Sequence, residues 1–169
     1  MTVIKSFKPS TTFLLGNQEK KKIKNQYKDV PIFAPENTYR IVKSKEGVTL
    51  IIENRKPIMF SLDSSVYYPT LAYLNDNRHL YDKIVYLDSG AKVPISNGAN
   101  AMVPGVYKHL NKIRTSFSED DLVYIDVDNE IFAVGRANIN FCDINVDSKG
   151  VAVTIFHRKD DAMYKFLLD

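Results

Sequence analysis

The sequence predicts an α+β N-terminal domain followed by a mainly β second domain, with a boundary near residue 80. Residues 17–28 (NQEKKKIKNQYK) contain no Gly or Pro and favour a helix, and from residue 38 onwards the pattern changes to short β-rich runs. In the second half such runs recur about 10 residues apart, a spacing typical of small barrels. We therefore expect two domains, over residues 1–80 and 81–169.

The first domain is predicted to hold a helix, three strands and a second short helix. Asn17 is the expected N-cap of the first helix, and Ile23 and Tyr27 would pack inward from one face of it. The connections between the strands are short, which favours antiparallel hairpins. The strands are TYRIVKS, GVTLIIEN and PIMFSLD, and the second helix is YYPTLAYLND, with Pro69 in its first turn.

The second domain is predicted to begin with the strand IVYLD and to end with three further β-rich runs. A polar loop or helical turn, HLNKIRTSFSEDD, precedes these runs, which are LVYIDVD, EIFAVGRANI and GVAVTIFHRK. Asp-Asn-Glu at 128–130 and Asp-Ser-Lys-Gly at 147–150 are the expected turns between them.

The composition indicates a soluble, cytoplasmic protein that does not enter a membrane. Hydrophobic residues make up 44% of the chain, which is enough for a core, and the longest apolar runs are only a few residues long. The first residues contain no apolar stretch typical of a secretory signal. Cys142 is the only cysteine, so neither an internal disulfide nor a cysteine-based zinc site is expected.

Positive charge is concentrated in the first third of the sequence. Residues 1–56 carry 12 Lys and Arg against 5 Asp and Glu, whereas the remaining residues carry 11 against 15. A basic region suits a nucleic-acid surface, because each phosphate that is neutralised releases counterions. Lysine-rich segments are also common as solvated helix faces, so the charge distribution leaves both interpretations open.

The sequence lacks the motifs that nucleotide binding and common catalytic sites require. Neither Gly-x-x-x-x-Gly-Lys-Ser/Thr nor Gly-x-Gly-x-x-Gly is present, and Asp-Ser-Gly at 88–90 lacks the Gly-x-Ser-x-Gly elbow. Cys142 is expected to be a small buried hydrophobe, and the acidic cluster 119–121 a solvated turn. No His-x-x-x-His pair occurs among the three histidines, which are His79, His109 and His157. We therefore predict no catalytic residue, no metal site and no cofactor, and a protein that is not an enzyme.

Residues 89–105, SGAKVPISNGANAMVPG, contain three of the seven glycines in the chain. Residues 91–96 favour a short helix, Asn97-Gly98 is a positive-φ signal that would stop it, and residues 99–103 favour a strand. The small side chains leave main-chain groups open to close approach. On spacing alone, a tight structural corner in a barrel is the favoured interpretation.

The same residues resemble a known signature. IVYLDSGAKVPISNGANAMVPGV is similar to the signature of the PUA domain, in which an apolar strand ending in Asp is followed by Gly-Ala, Gly-Ala-Asn and Pro-Gly-Val. DDLVYIDVDNEIFAVGRANI resembles the second half of that domain. KPIMFSLDSSVYYPTLAYL is similar to the end of the small domain that precedes PUA in the malignant T-cell amplified sequence family of translation factors and its archaeal relatives. The resemblance covers about residues 37–165.

The resemblance implies a pre-PUA-like α+β domain followed by a PUA pseudobarrel that binds structured RNA without catalysis. Glycine and alanine would admit the RNA backbone, lysine and arginine would supply charge, and asparagine would bond ribose or base edges. Pro94 departs from the family, whose members more often carry an ordinary helix former there. Carried over residue by residue, the expected RNA-binding residues are Gly90, Ala91, Lys92, Asn97, Gly98, Ala99, Asn100, His157, Arg158 and Lys159.

The function implied by the resemblance lies in translation, as a factor in recycling of the small ribosomal subunit or in initiation. Such a protein would bind tRNA or rRNA and the small subunit, and its eukaryotic relatives work with a partner that carries an initiation-factor-like domain. One alternative is an RNA-binding accessory factor in ribosome biogenesis or tRNA modification. A protein-interaction module is the alternative outside RNA binding.

Overall fold

The structure is a computed structural model that describes residues 4–166. The chain divides into two compact units. We call Ser6–Asp76 the N-terminal unit, and residues 4–5 together with 77–166 the C-terminal unit. Among the described residues no helix is both long enough and apolar enough to cross a membrane.

The N-terminal unit is an antiparallel sheet of five strands that pair in chain order, accompanied by two helices. The predicted hairpins are confirmed. Asn54 and Arg55, which connect the third and fourth strands, both have positive φ, as a two-residue type I′ turn requires. The elements are β1 (Pro9–Leu14), α1 (Asn17–Gln26), β2 (Tyr39–Ser44), β3 (Thr49–Glu53), β4 (Lys56–Ser61), β5 (Tyr68–Pro69) and α2 (Leu71–Asp76).

The predicted helix over residues 17–28 is present as α1, but its ends differ from those expected. Gly16 takes the N-cap position and Asn17 is the first helical residue, so the predicted asparagine cap is wrong. Ile23 is fully buried, as predicted. Tyr27 is only half-buried at the C-cap, where its hydroxyl donates to the Tyr67 carbonyl at 2.7 Å.

The helix predicted from residue 67 begins later, at Leu71. Pro69 instead lies opposite Met59 in β5, an edge strand in which the missing N–H of proline removes no necessary ladder bond. Thr70 then caps the helix, because its hydroxyl accepts from the Tyr73 amide at 3.3 Å and donates to a carbonyl of β4. The exposed edge strand β1 was not predicted, since its polar sequence lacks the alternation of a half-buried strand.

The C-terminal unit is built on a second five-stranded sheet with the order β6-β8-β9-β10-β7. Strands β6 and β8 are parallel, and every other pair is antiparallel. Apolar side chains from all five strands and from two of the short helices form one core. The elements are β6 (Ile84–Leu87), α3 (Lys92–Ser96), β7 (Ala101–Met102), α4 (Val103–Tyr107), β8 (Leu122–Val127), β9 (Glu130–Ala137), β10 (Val151–Arg158) and α5 (Ala162–Phe166).

Two backbone features fix how β8, β9 and β10 pair. Asp128 and Asn129 both have positive φ and form the tight turn predicted between β8 and β9. Gly135 in β9 lies so close to β10 that a Cβ there would stand 2.5 Å from the Thr154 carbonyl oxygen. Only glycine therefore permits this approach of the two strands.

The predicted strand over residues 99–103 is shorter in the structure, and α4 was not predicted. Of residues 99–103, only Ala101 and Met102 pair with β10, and the chain becomes helical from Val103 onwards. Pro104 lies in the first turn of α4, where proline needs no donor and its fixed φ suits a helix. The sequence predicts a strand end at Pro104, whereas this residue lies in the first turn of a helix.

Cys142 is exposed, so the prediction that it is buried is wrong. It lies in the 3₁₀ turn Phe141–Asp143, where its neighbour Phe141 packs against the Phe117 ring with centroids 5.8 Å apart. In this tight turn Phe141 and Ile144 pack against the core, whereas Cys142 between them faces solvent. In residues 4–166 no group of three or more His, Cys, Asp or Glu side chains is placed to hold a metal ion.

Candidate nucleic-acid interface

One edge of the C-terminal unit combines a 3₁₀ turn, a short helix and a glycine turn. The 3₁₀ turn Ser89–Ala91 runs directly into α3, and the helix stops at Gly98, whose φ is +107°. The Gly98 amide donates to the Ile95 carbonyl and the Ala99 amide to the Pro94 carbonyl, each at 2.9 Å. This is the hydrogen-bond pattern of a Schellman C-cap, which requires a left-handed residue that glycine supplies most easily.

Gly90 is a glycine that the fold does not require. Its φ is not in the left-handed region, and no heavy atom lies within 4 Å of the place where a Cβ would stand. The residue is exposed, and so are Asn97, Gly98 and Ala99 on the other side of α3. A ligand can therefore approach the main chain closely at both ends of the helix.

Arg158, predicted to offer charge to RNA, is buried beneath this edge. Its side chain is almost completely covered, with a relative exposure of 1% for the residue. Nη1 donates to the Ile95 carbonyl at 2.8 Å and to the Ala99 carbonyl at 3.3 Å, and Nη2 donates to the Ile155 carbonyl at 3.1 Å. The predicted supply of charge to RNA is not met at the surface, because the guanidinium is used to join the end of α3 and the glycine turn to β10.

His157 is also inside the unit and is not available to a ligand at the surface. Its Nδ1 lies 2.8 Å from Asp161 Oδ2, and that carboxylate also accepts from the amides of Arg158 at 3.0 Å and Tyr164 at 2.8 Å. Burial alone would raise the pKa of Asp161, but the charge and hydrogen bond of His157 and the two amides outweigh burial and lower it. The group anchors the start of α5 to the end of β10.

The two predicted lysines are each paired with an acid of the β8–β9 hairpin. Lys92 Nζ lies 2.6 Å from Asp128 Oδ2, and Lys159 Nζ lies 2.7 Å from Glu130 Oε1. The hydrogen bond to Glu130 raises the pKa of Lys159. Both cations are half-buried and their charge is largely matched within the protein.

The structure thus divides the ten predicted residues into three groups. Gly90, Asn97, Gly98 and Ala99 are exposed together around α3. Ala91, Lys92, Asn100 and Lys159 are half-buried; the Asn100 Oδ1 accepts from the Ile155 amide at 2.9 Å and thereby serves the fold. His157 and Arg158 are internal.

Sequence reasoning missed a set of polar groups beside the Gly90 turn. Asp88, at the end of β6, contacts His109 Nε2 at 2.5 Å and Lys108 Nζ at 3.5 Å. The sequence predicts a polar loop or helical turn in the segment that follows α4, and the structure has the 3₁₀ turn Leu110–Lys112 there. Its spacing of basic residues, in a stretch without Asp or Glu, was the signal that could have identified it.

Comparison with known proteins places these residues in a family. Residues 92–162 match the family described as "elF2D, PUA domain". The uncharacterized protein MJ1432 of Methanocaldococcus jannaschii is 30% identical over an aligned length of 165 residues, and the match covers 91% of this chain and 95% of that protein. The chain belongs to the family of MJ1432 and carries a PUA domain.

Solved structures agree with this fold over almost the whole chain. A PUA-domain structure from Aeropyrum pernix, in a tartrate complex, gives a TM-score of 0.77 at 20% identity and covers 96% of this chain and 97% of its own. The hypothetical protein PH0734.1 of Pyrococcus horikoshii gives a TM-score of 0.75 at 20% identity, and the match covers 93% of this chain and 99% of that one. A PUA-domain protein of Thermoplasma acidophilum gives a TM-score of 0.71 at 20% identity, and the match covers 93% of this chain and 99% of that one. At this identity the likeness concerns the fold.

The internal position of Arg158 leads to a stability prediction. Arg158→Met removes three charged hydrogen bonds to main-chain carbonyls while it keeps most of the side-chain volume, so we expect the C-terminal unit to lose about 2–3 kcal/mol. Amide hydrogen exchange should speed up most at residues 95–99, which the guanidinium holds. In Lys159→Met, the matched control, only a half-exposed ion pair is lost and the change should stay below about 1 kcal/mol. Equal effects of the two variants would contradict the assigned role of Arg158.

The Asp161 carboxylate leads to a pH prediction. Its pKa in the folded protein is lower than the ordinary 3.8, so its stabilising contribution is complete above 3.8 and is lost as pH falls through the lower folded value. We therefore expect wild type to be more stable than Asp161→Asn just above pH 3.8 and the difference to vanish in stronger acid. Urea unfolding followed through the NMR signals of β10 measures it. A difference that persists unchanged in strong acid would refute the assignment.

Proposed function

We propose that this protein binds structured RNA without catalysis and acts on the translation apparatus. The PUA domain supports RNA binding, since PUA domains bind RNA. The observation that carries the proposal is the exposed Gly90, which lies on the same edge as the exposed Gly98 turn. Neither its backbone conformation nor the space around it requires glycine. A side chain would obstruct this main chain, whereas glycine lets a ribose or phosphate reach it.

A role in small-subunit recycling or in initiation is the finer part of the proposal. The resemblance of residues 56–74 to the domain that precedes PUA in a family of translation factors favours translation over an RNA-modification role. On this proposal the protein works in the cytoplasm, engages the small ribosomal subunit and the acceptor end of a tRNA, and cooperates with an initiation-factor-like protein. Membership of the malignant T-cell amplified sequence family belongs to the same proposal.

The direct test measures binding of a fluorescently labelled tRNA transcript by anisotropy. Gly90→Gln should weaken binding roughly tenfold, because the new side chain occupies the approach to the main chain and the fold has room for it. Gly16→Gln is the matched control, since Gly16 also has open space around its Cβ position and lies in the N-terminal unit. Wild-type protein that does not bind at low salt, or equal binding by both variants, would refute RNA binding at this edge.

Sedimentation separates the translation role from the biogenesis alternative. In a gradient of cell extract we expect the protein to travel with mature small subunits. High salt should release the protein and leave the subunits intact, because an interaction through phosphates weakens as the salt concentration rises. Sedimentation with precursor particles alone would replace the translation role by an accessory role in ribosome maturation.

A further inference from the structure

The three basic residues predicted to serve the edge around α3 offer it no free positive charge. Lys92 and Lys159 are paired with acids, and Arg158 is buried. RNA binding depends strongly on the cations that neutralise phosphates. An RNA that touches this edge must therefore find its cations elsewhere.

Residues 108–114, KHLNKIR, form a basic segment that follows α4. Lys112 and Arg114 are exposed, and within residues 4–166 neither takes part in an ion pair. Between them Ile113 is buried at 9% exposure, so the two cations point outward on either side of an anchored residue. The chain carries no Asp or Glu from residue 89 to residue 118.

The basic segment is held beside the Gly90 turn. Its 3₁₀ turn Leu110–Lys112 packs against β6, the strand that leads into Ser89–Ala91. Asp88, which joins β6 to that turn, contacts the side chains of His109 and Lys108, and its carbonyl accepts from the Ala91 amide at 2.9 Å. Asp88 therefore connects the two segments through both its side chain and its main chain.

Asp88 is also the acid that limits the positive charge of the segment. The hydrogen bond with His109 lowers the pKa of Asp88, so the carboxylate is ionised at neutral pH. Half of its side chain is exposed (51%), and it would face an approaching phosphate together with Lys108. Removal of this charge should leave Lys108 free for an external anion.

We propose that the basic segment, residues 108–114, binds the phosphate backbone of the RNA that contacts the Gly90 turn. Lys112 and Arg114 neutralise phosphates, and Asp88 sets the strength of that contact through Lys108. The inference rests on the proposed RNA-binding function and adds to it the source of charge, which lies in a segment separate from α3 and from the last strand.

The test measures binding of a labelled tRNA transcript as a function of salt concentration. The double variant Lys112→Ala with Arg114→Ala should lower affinity roughly tenfold at low salt and reduce the slope of log K against log salt by about 1 for each cation removed. The matched control is Lys149→Ala with Lys165→Ala, which removes the same charge from exposed positions of the C-terminal unit. The control should change affinity by less than about twofold.

The variant Asp88→Asn should change the affinity for RNA in the opposite direction. It removes one negative charge, keeps the main-chain bond to Ala91 and leaves a side-chain oxygen that can still accept from His109, so tighter binding and a steeper salt dependence are expected. The proposal is overturned if the two double variants behave alike, or if Asp88→Asn weakens binding while the protein stays folded by circular dichroism. If Gly90→Gln weakens binding and Lys112→Ala with Arg114→Ala does not, only this inference fails. Wild type that does not bind at all refutes the proposed function itself.

Discussion

The candidate interface depends on one buried interaction, the hydrogen bonds of the Arg158 guanidinium to three main-chain carbonyls. Helix α3 has only five residues, too few to be stable on its own. A positive charge at its C-terminal end offsets the partial negative charge of the carbonyls there. The guanidinium thereby fixes the orientation of the Gly98 turn relative to β10, and with it the surface that a ligand would meet.

The sequence predicted the kinds of elements well where local chemistry determines them. The tight turns at Asn54 and Asp128 follow from residue types that tolerate positive φ, and the end of α3 follows from Gly98. Predictions failed where tertiary contacts determine which element a residue joins. Pro69 and Pro104 were each assigned to the wrong neighbouring element, because proline is compatible with an edge strand, a helix start or a strand end.

The roles of charged residues were harder to predict than the elements. The run HRKD at the end of β10 suggests an exposed, basic strand end, yet His157 and Arg158 both lie inside the unit and Lys159 pairs with Glu130. Lys159 meets Glu130, which lies 29 residues earlier, because β10 pairs with β9, and a single sequence does not give the register of strands so far apart. The location of the glycines could be predicted, whereas the distribution of free charge around them required the structure.

The strand order has a consequence for synthesis of the chain on the ribosome. Strand β7 lies at the edge of the sheet beside β10, and Arg158 reaches carbonyls as far as 63 residues earlier in the sequence. Contacts of such long range form late, because a large loop must close before they are made. The nascent C-terminal unit therefore exposes an unanchored α3 and glycine turn until its last strand has emerged from the exit tunnel. The surface proposed to bind RNA is therefore complete only after β10 has been made.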